Sequence, residues 1–221
     1  MTVRVLLADD QDLVRSGIRI ILDAQPGIEV VGEARDGAEA VARSAELHPD
    51  VICMDVQMPR MDGLEATTRV VAAQPGVAVL MLTTFDDDDS LFRALAAGAS
   101  GFLLKTASPE QLVDAVRVLA AGDALLAPAV TRRVIERFGG ARSAGAATRD
   151  DPALATLTDR ERDVFGLLAR GWSNAEIAAE LVLGEATVKS HVSSLLLKLG
   201  VRDRVQAVVR AYESGFATPG A

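Results

Sequence analysis

The feature that most constrains the fold is a regular alternation of short aliphatic runs and helical patterns along the first 125 residues. Strands separated by helices of this length form βαβ units, in which the strands run parallel. The runs are apolar on both faces, as in a sheet that helices cover on both sides. The pattern predicts a doubly wound α/β domain with a five-stranded parallel sheet. The predicted strands are 3–8, 28–34, 51–56, 77–84 and 101–105, and the helices 11–25, 36–47, 62–73, 87–97 and 109–121.

The chain changes character after this alternation. A helix is predicted at about 128–138, and the Gly-, Ala- and Ser-rich stretch after it is typical of a flexible linker. Beyond it only short helices are predicted, and the tight turn at Gly184 joins two of them as a helix-turn-helix. These helices cover about 158–171, 173–181, 185–200 and 202–215. We therefore expect an α/β domain at 1–125, a linker helix and flexible linker at 126–152, and a small all-α four-helix domain at 153–221.

Composition restricts the environment of the protein. The chain is 49% apolar and 24% charged, which is typical of a soluble globular protein. Its longest apolar runs are about 6 residues, whereas a membrane span needs roughly 20. The N-terminus turns acidic by Asp9, so we expect no secretory signal. Cys53 is the one cysteine, so no intramolecular disulfide can form. We expect a cytoplasmic protein without membrane association.

The net charge of −8 is unevenly distributed. Residues 1–138 hold 21 acidic against 13 basic residues, whereas residues 153–221 hold 8 of each. An acidic protein is a poor partner for nucleic acid when its charge is considered as a whole. This objection does not apply to the second part of the chain, although that part is not strongly basic either.

Polar side chains follow the predicted strands where the strands end. Loops at the carboxyl ends of a doubly wound sheet share one crevice, which is where ligands bind. A single acid at a strand end can be a loop or helix cap, as we interpret Asp12 and Asp36. A whole set of them predicts a site for a hard cation such as Mg²⁺, with a lysine completing a phosphate-sized cradle. The set comprises Asp9 and Asp10 after the first strand, Asp55 after the third, Thr83 and Thr84 after the fourth, and Lys105 after the fifth.

Four blocks of this part resemble the receiver domain of two-component response regulators: "LLADDQDLVRSGI", "DVQMPRMDG", "MLTTFDDDD" and "AGASGFLLK". The resemblance covers residues 3–121 and implies a flavodoxin-like fold. It implies that Asp55 accepts a phosphoryl group from a sensor histidine kinase. The chain would not be an enzyme, apart from slow self-dephosphorylation. The implied metal ligands for Mg²⁺, or Mn²⁺ as a substitute, are Asp9, Asp10, Asp55 and the backbone carbonyl of Gln57. The implied phosphoryl and switch residues are Thr83, Lys105, the backbone of Thr84, and Phe102.

Two of these assignments have structural alternatives. Phe102 would rotate inward behind Thr83 after phosphorylation, or it is an ordinary core residue. The acidic run Asp86–Asp89 would favour the dipole of the helix that it begins, or would serve sensor docking.

The helix predicted from Glu185 has one apolar stripe and one small, polar face. At about 100° per residue, the stripe at 188, 192, 195 and 199 faces the core. The opposite face carries small hydroxyl residues, with a lysine near the amino end. Such a face suits insertion into a DNA major groove, but a generic helical bundle would show the same periodicity.

The segment "LTDRERDVFGLLARGWSNAEIAAELVLGEATVKSHVSSLLLKLGVRDR" resembles the LuxR-type DNA-binding domain of NarL/FixJ response regulators. Gly184 stands where this family usually has a serine N-cap. The resemblance implies base-facing positions at Lys189, Ser190 and Ser193, phosphate contacts at Thr187 and Asn174, and a dimer contact formed by Val205, Val208, Val209 and Tyr212.

Together these patterns indicate a regulator whose phosphorylation controls homodimerisation and binding to promoter DNA. One alternative is a Mg²⁺-dependent phosphohydrolase, but those enzymes place a second acid two residues after the nucleophile, where this chain has Gln57. Another alternative is a receiver whose terminal domain binds protein only.

Overall fold

A computed structural model describes residues 2–84, 93–121 and 151–217 of the chain. The chain divides into two compact units, Met1–Leu125 and Leu126–Ala221. The predicted linker helix at 128–138, nearly all of the flexible linker, and the run Asp86–Asp89 lie outside the described residues. In the part that is described, no helix has the length and apolarity needed to span a membrane.

The first unit is built on a five-stranded, all-parallel sheet, as predicted. Its strand order is β2-β1-β3-β4-β5, and the order reverses between β1 and β3, which opens a crevice at their carboxyl ends. The strands are β1 Val3–Ala8, β2 Ile28–Ala34, β3 Val51–Asp55, β4 Ala78–Thr83 and β5 Gly101–Leu104. The helices are α1 Asp12–Asp23, α2 Gly37–Leu47, α3 Gly63–Ala73 and α4 Pro109–Ala120, and residues 93–96 are also helical.

Of the two acids that we interpreted as helix caps, the structure confirms one. Asp36 is the N-cap of α2, and its side chain accepts a hydrogen bond from the Glu39 N–H at 2.8 Å. For Asp12 the interpretation is wrong: Gln11 is the N-cap position and Asp12 lies inside the first turn of α1. Asp12 is paired with Arg15 instead, at 2.5 Å.

The central strands are buried on both faces. Every residue of β3 is buried, and the core of this unit includes Val5, Cys53 and Leu80. Burial raises the pKa of the Cys53 thiol to about 12. The thiolate form is therefore scarce at neutral pH, and Cys53 behaves as a packed apolar side chain.

Over its described residues, 151–217, the second unit is helical, as predicted, with one addition at its start. A short helix begins at Pro152, directly after Asp151, whose carboxylate accepts a hydrogen bond from the Ala153 N–H. This is the favoured arrangement of an acidic N-cap followed by proline. The helices are α5 Pro152–Ala155, α6 Asp159–Ala169, α7 Asn174–Leu181, α8 Glu185–Leu199 and α9 Arg204–Glu213.

The turn between α7 and α8 contains a strained residue. Val182 is the C-cap of α7 and adopts the left-handed conformation, with φ 53°. Its side chain is exposed, at 90% of the full accessible area. A β-branched residue is unfavourable in this conformation. The conformation of Val182 therefore costs free energy, and burial of the side chain does not offset this cost.

Val182→Gly is expected to stabilise the helical unit by about 0.5–1 kcal/mol. Relief of a strain of roughly 1–2 kcal/mol exceeds the added entropy cost of glycine in the unfolded chain. Urea unfolding followed by the fluorescence of Trp172, the one tryptophan of the chain, measures this change. Val182→Ala is the control, since it shortens the side chain but keeps most of the strain. A glycine variant less stable than the wild type would contradict the prediction.

Candidate functional site

Three acids meet at the carboxyl edge of the sheet. Asp9 follows β1 and Asp55 ends β3, and these strands are neighbours that pair Ala8 with Met54. One carboxylate oxygen each from Asp9, Asp10 and Asp55 lie within 4.8 Å of one another. Asp9 and Asp55 are buried, whereas Asp10 is exposed. The structure thus brings together the three acids that the sequence placed at strand ends.

Lys105 lies between two of these acids. Its Nζ is 2.7 Å from Asp9 Oδ2 and 2.9 Å from Asp55 Oδ2. Its backbone N–H donates to the Thr83 carbonyl at 2.7 Å, which fixes the lysine directly after β5. Burial disfavours its charged form, but the hydrogen bonds to Asp9 and Asp55 outweigh this and raise the pKa of Lys105. The side chain is therefore a fixed positive charge in the crevice.

The charges of this cluster are not balanced. Burial raises the pKa of Asp55 and the Asp9 carboxylate raises it further, while contact with Lys105 works in the opposite direction. Asp9 Oδ1 accepts a hydrogen bond from the Gln11 N–H at 2.9 Å. Asp9 Oδ2 is buried and, within the described residues, forms no well-aligned hydrogen bond beside its ion pair with Lys105. An oxygen-rich set with excess negative charge and an under-satisfied buried carboxylate fits a hard divalent cation.

A cavity of about 550 Å³ opens above the acids. Its wall includes Thr83, which is buried, and the exposed residues Thr84 and Gln57. Phe102 is already packed inward, at 6% exposure, opposite Met81 in the neighbouring strand. The described conformation therefore needs no rotation of Phe102 to bury the ring.

The loop after Asp55 is closed tightly against the strand. The Gly63 N–H donates to the Val56 carbonyl at 3.0 Å, and the Val56 N–H donates to the Leu82 carbonyl at 3.1 Å. A Cβ at Gly63 would overlap the backbone carbonyl oxygen of Asp55. Asp62 is the N-cap of α3 and accepts from the Glu65 N–H. Residue 63 therefore has to be glycine for α3 to start this close to Asp55.

Sequence reasoning missed two residues of this region. Arg93 lines the cavity, but the sequence pattern assigned a role only to the acidic run before it. Arg15 is buried in α1, and its Nη1 donates to the Asp9 carbonyl at 2.7 Å. A signal for Arg15 exists, because it lies seven residues before the buried Leu22 and so shares the core-facing stripe of α1.

The face of α8 opposite its buried stripe carries the side chains predicted to meet DNA. Val188, Val192, Leu195 and Leu199 are the buried stripe, as predicted. Thr187, Lys189, Ser190 and Ser193 are all exposed. The Ser190 and Ser193 hydroxyls each donate to the carbonyl four residues earlier, at 3.0 Å, which leaves their oxygen lone pairs as acceptors. Asn174 is half-buried, and its Oδ1 accepts from Arg204 Nη1 at 3.1 Å.

The predicted dimer residues are mostly inside the helical unit. Val205, Val208 and Tyr212 are at most 3% exposed, and the Tyr212 hydroxyl donates to the Ala169 carbonyl at 3.0 Å. A second copy cannot contact side chains that the unit's own helices cover, so these three assignments require correction. Val209 alone of the four is partly exposed.

Comparison with known proteins matches two parts of the chain to two family models. Residues 5–117 match the model of the response regulator receiver domain, and residues 155–211 match that of the luxR family of bacterial regulatory proteins. The chain is 42% identical to the response regulator protein VraR of Staphylococcus aureus over 213 residues, covering 96% of this chain and 98% of VraR.

Solved structures similar to this chain are also response regulators. The receiver domain of the response regulator NarL from Mycobacterium tuberculosis is 37% identical, with a TM-score of 0.54, covering 55% of this chain and 98% of that one. The Salmonella typhimurium RcsB response regulator, whose structure concerns conformational dynamism for DNA interaction, is 26% identical, with a TM-score of 0.57. That match covers 94% of this chain and 96% of the RcsB chain.

Proposed function

Because the chain belongs to the two-component response regulators that join a receiver domain to a LuxR-type DNA-binding domain, we propose that phosphorylation of Asp55 by a sensor histidine kinase controls its dimerisation and its binding to promoter DNA. The observation that carries this proposal is the buried Asp55 carboxylate, held 2.9 Å from Lys105 at the edge of an open cavity. As a member of this family the chain is a transcription regulator with a kinase and DNA as partners.

The acids of a receiver domain hold a divalent metal, and we propose Mg²⁺, with Mn²⁺ as a substitute. Asp9, Asp10, Asp55 and the Gln57 backbone carbonyl would be its protein ligands. When bound, the cation would neutralise the repulsion between the carboxylate and the incoming phosphoryl group. Oxygen donors and a water-accessible cavity are what Mg²⁺ requires, since it keeps several water ligands.

The side chains around Asp55 account for phosphoryl transfer. A carboxylate oxygen of Asp55 forms a bond to phosphorus while the bond from phosphorus to the kinase imidazole nitrogen breaks. The Lys105 ammonium pairs with the phosphoryl oxygens, and the Thr83 hydroxyl and the Thr84 backbone N–H donate to them. The new group adds about 1.5–2 negative charges and three acceptor oxygens next to β4 and β5.

The residue two positions after Asp55 influences how long the phosphoryl group persists. Gln57 lines the cavity, and its amide can neither give nor accept a proton in the way a carboxyl group does. We expect slow self-dephosphorylation for this reason. The same feature disfavours the phosphohydrolase alternative, which needs a general acid there.

For DNA binding we propose that α8 enters the major groove, with Lys189, Ser190 and Ser193 facing bases and Thr187 and Asn174 near phosphates. A two-fold dimer would match inverted half-sites. Among the four residues first considered for that contact, Val209 is the one with surface to offer.

The experiment for the whole proposal is fluorescence anisotropy with fragments from the region upstream of the chain's own gene, at one salt concentration. We expect acetyl phosphate with Mg²⁺ to tighten binding to a specific fragment relative to random DNA. Affinity that phosphorylation does not change would contradict control by Asp55. Equal affinity for specific and random fragments would favour the alternative of a protein-binding domain.

Lys189→Ala is expected to weaken specific DNA binding by roughly 1–3 kcal/mol, or about 5- to 150-fold. The exposed lysine lies near the amino end of the proposed recognition helix, where its charge meets bases or phosphate. Arg117→Ala is the matched control, because it removes one positive charge from an exposed position on α4. Equal effects of the two substitutions would show that only net charge matters and would contradict the proposed face.

A further inference from the structure

Arg15 is a buried arginine that joins three parts of the receiver unit. Its Nη1 donates to the Asp9 carbonyl at 2.7 Å, its Nε to Glu33 Oε2 at 2.7 Å, and its Nη2 to Asp12 Oδ1 at 2.5 Å. The side chain is 5% exposed. The guanidinium thus connects the loop after β1, the start of α1, and β2. Each arm of the fork has its own acceptor, which is an arrangement that a lysine cannot reproduce.

The Asp9 carbonyl is a sensitive place to anchor. It belongs to the peptide unit that joins Asp9 to Asp10, so its orientation sets the direction in which both carboxylates leave the backbone. The other groups of Asp9 are held as well: its N–H donates to the Ala34 carbonyl at 3.1 Å, and its Oδ1 accepts from the Gln11 N–H. Lys105 pairs with its Oδ2, and Arg15 holds its carbonyl.

Arg19 provides an internal comparison on the same helix. Its Nη1 lies 2.7 Å from Glu33 Oε1, so both arginines use the same glutamate. Arg19 is 43% exposed, and within the described ranges its ion pairs are with Glu33 and Asp23. It shares with Arg15 the tie between α1 and β2 but not the bond to the Asp9 carbonyl.

We propose that Arg15 is a positioning residue for the cation site: by holding the Asp9 carbonyl, it sets the separation and direction of the Asp9 and Asp10 carboxylates before the metal arrives. The inference rests on the proposed function, in which these two acids are metal ligands. It assigns to α1 a part in metal affinity that is separate from its packing on the sheet.

The test is the Mn²⁺ affinity of the full chain, measured by electron paramagnetic resonance of the free ion. Arg15→Ala is expected to weaken Mn²⁺ binding about 10- to 100-fold, as is common when an outer-shell partner of a metal ligand is lost. Arg19→Ala should leave the affinity within about twofold of the wild type, because it does not touch Asp9. If the two variants lose the same amount, Arg15 acts only through its tie to Glu33, and the inference is wrong.

Two further measurements keep the result interpretable. Circular dichroism verifies that Arg15→Ala is folded; if it is not, Arg15→Lys, which keeps the charge but loses the fork, takes its place in the same comparison. Wild-type affinity in Arg15→Lys would overturn the inference. At saturating Mg²⁺, acetyl phosphate should label the Arg15 variant at nearly the wild-type rate, because the loss is in metal affinity; a rate that stays low would also overturn it.

Asp9→Asn separates failure of this inference from failure of the proposed function. If the wild type binds Mn²⁺ no better than Asp9→Asn, the proposed metal site itself is wrong. If the wild type binds better than Asp9→Asn, and Arg15→Ala binds like the wild type, the site stands and only the positioning role of Arg15 is refuted.

Discussion

Asp55→Asn is expected to abolish covalent labelling of the protein by acetyl phosphate and Mg²⁺ while leaving the receiver unit folded. The amide has the shape of the carboxylate but lacks a nucleophilic oxygen of comparable strength. Burial raises the pKa of Asp55, which means that its charged form is costly in this position. The neutral amide removes that cost, and Lys105 keeps its ion pair with Asp9 at 2.7 Å. We therefore expect complete loss of labelling without loss of stability.

Mass spectrometry of the intact protein measures the labelling. Asp62→Asn is the matched control, because Asp62 also lines the cavity and its role as N-cap of α3 is served equally well by asparagine. The control should be labelled like the wild type. Labelling that persists in Asp55→Asn would place the phosphoacceptor elsewhere and remove the basis of the proposed switch.

Gly63→Ala is expected to slow phosphoryl labelling on the order of 100-fold, or to destabilise the receiver unit by about 1–3 kcal/mol or more. The added Cβ would overlap the Asp55 carbonyl oxygen and come within 2.9 Å of its carbonyl carbon. These are backbone atoms, which cannot rotate away as a side chain can. Either Asp55 shifts out of its place beside Lys105, or α3 moves away from β3.

Labelling kinetics and thermal unfolding distinguish these two outcomes. Gly17→Ala is the control: it lies within α1, and a Cβ there would meet nothing within 4 Å. That change should be neutral or slightly stabilising, since alanine is the better helix former. A Gly63→Ala protein that matches the wild type in both measurements would contradict the prediction, because it would show that the loop after Asp55 accommodates the Cβ at no cost in free energy.

The architecture of the receiver was accessible from the sequence because few topologies satisfy a strict alternation of buried strands and helices. Parallel strands end at a common edge, so the three acids at the ends of β1 and β3, which are neighbours in the sheet, are brought close together. The pattern does not predict which side chains form hydrogen bonds and ion pairs with one another. Asp12 is an example: a first-turn acid and an N-cap acid differ by one residue, and the ion pair with Arg15 decides between them.

The helical unit shows a second limit of the sequence. Periodicity correctly identified an apolar stripe on α9, but a stripe does not state what covers it. Val205 and Val208 are covered by the unit's own helices, so they contribute to folding and not to a dimer surface. Arg15 is the opposite case. It is a charged residue on a core-facing stripe, and it is buried because three acceptors surround it, which periodicity does not predict.

The buried thiol of β3 and the one tryptophan allow the stability of the two units to be followed separately in the same protein. Cys53 is 1% exposed and its pKa is raised to about 12, so a maleimide can reach it only when the sheet opens. The one tryptophan, Trp172, lies in the other unit. The rate of thiol modification therefore measures how often the receiver opens, and tryptophan fluorescence measures unfolding of the helical unit. Both can be measured on the wild-type chain in one sample.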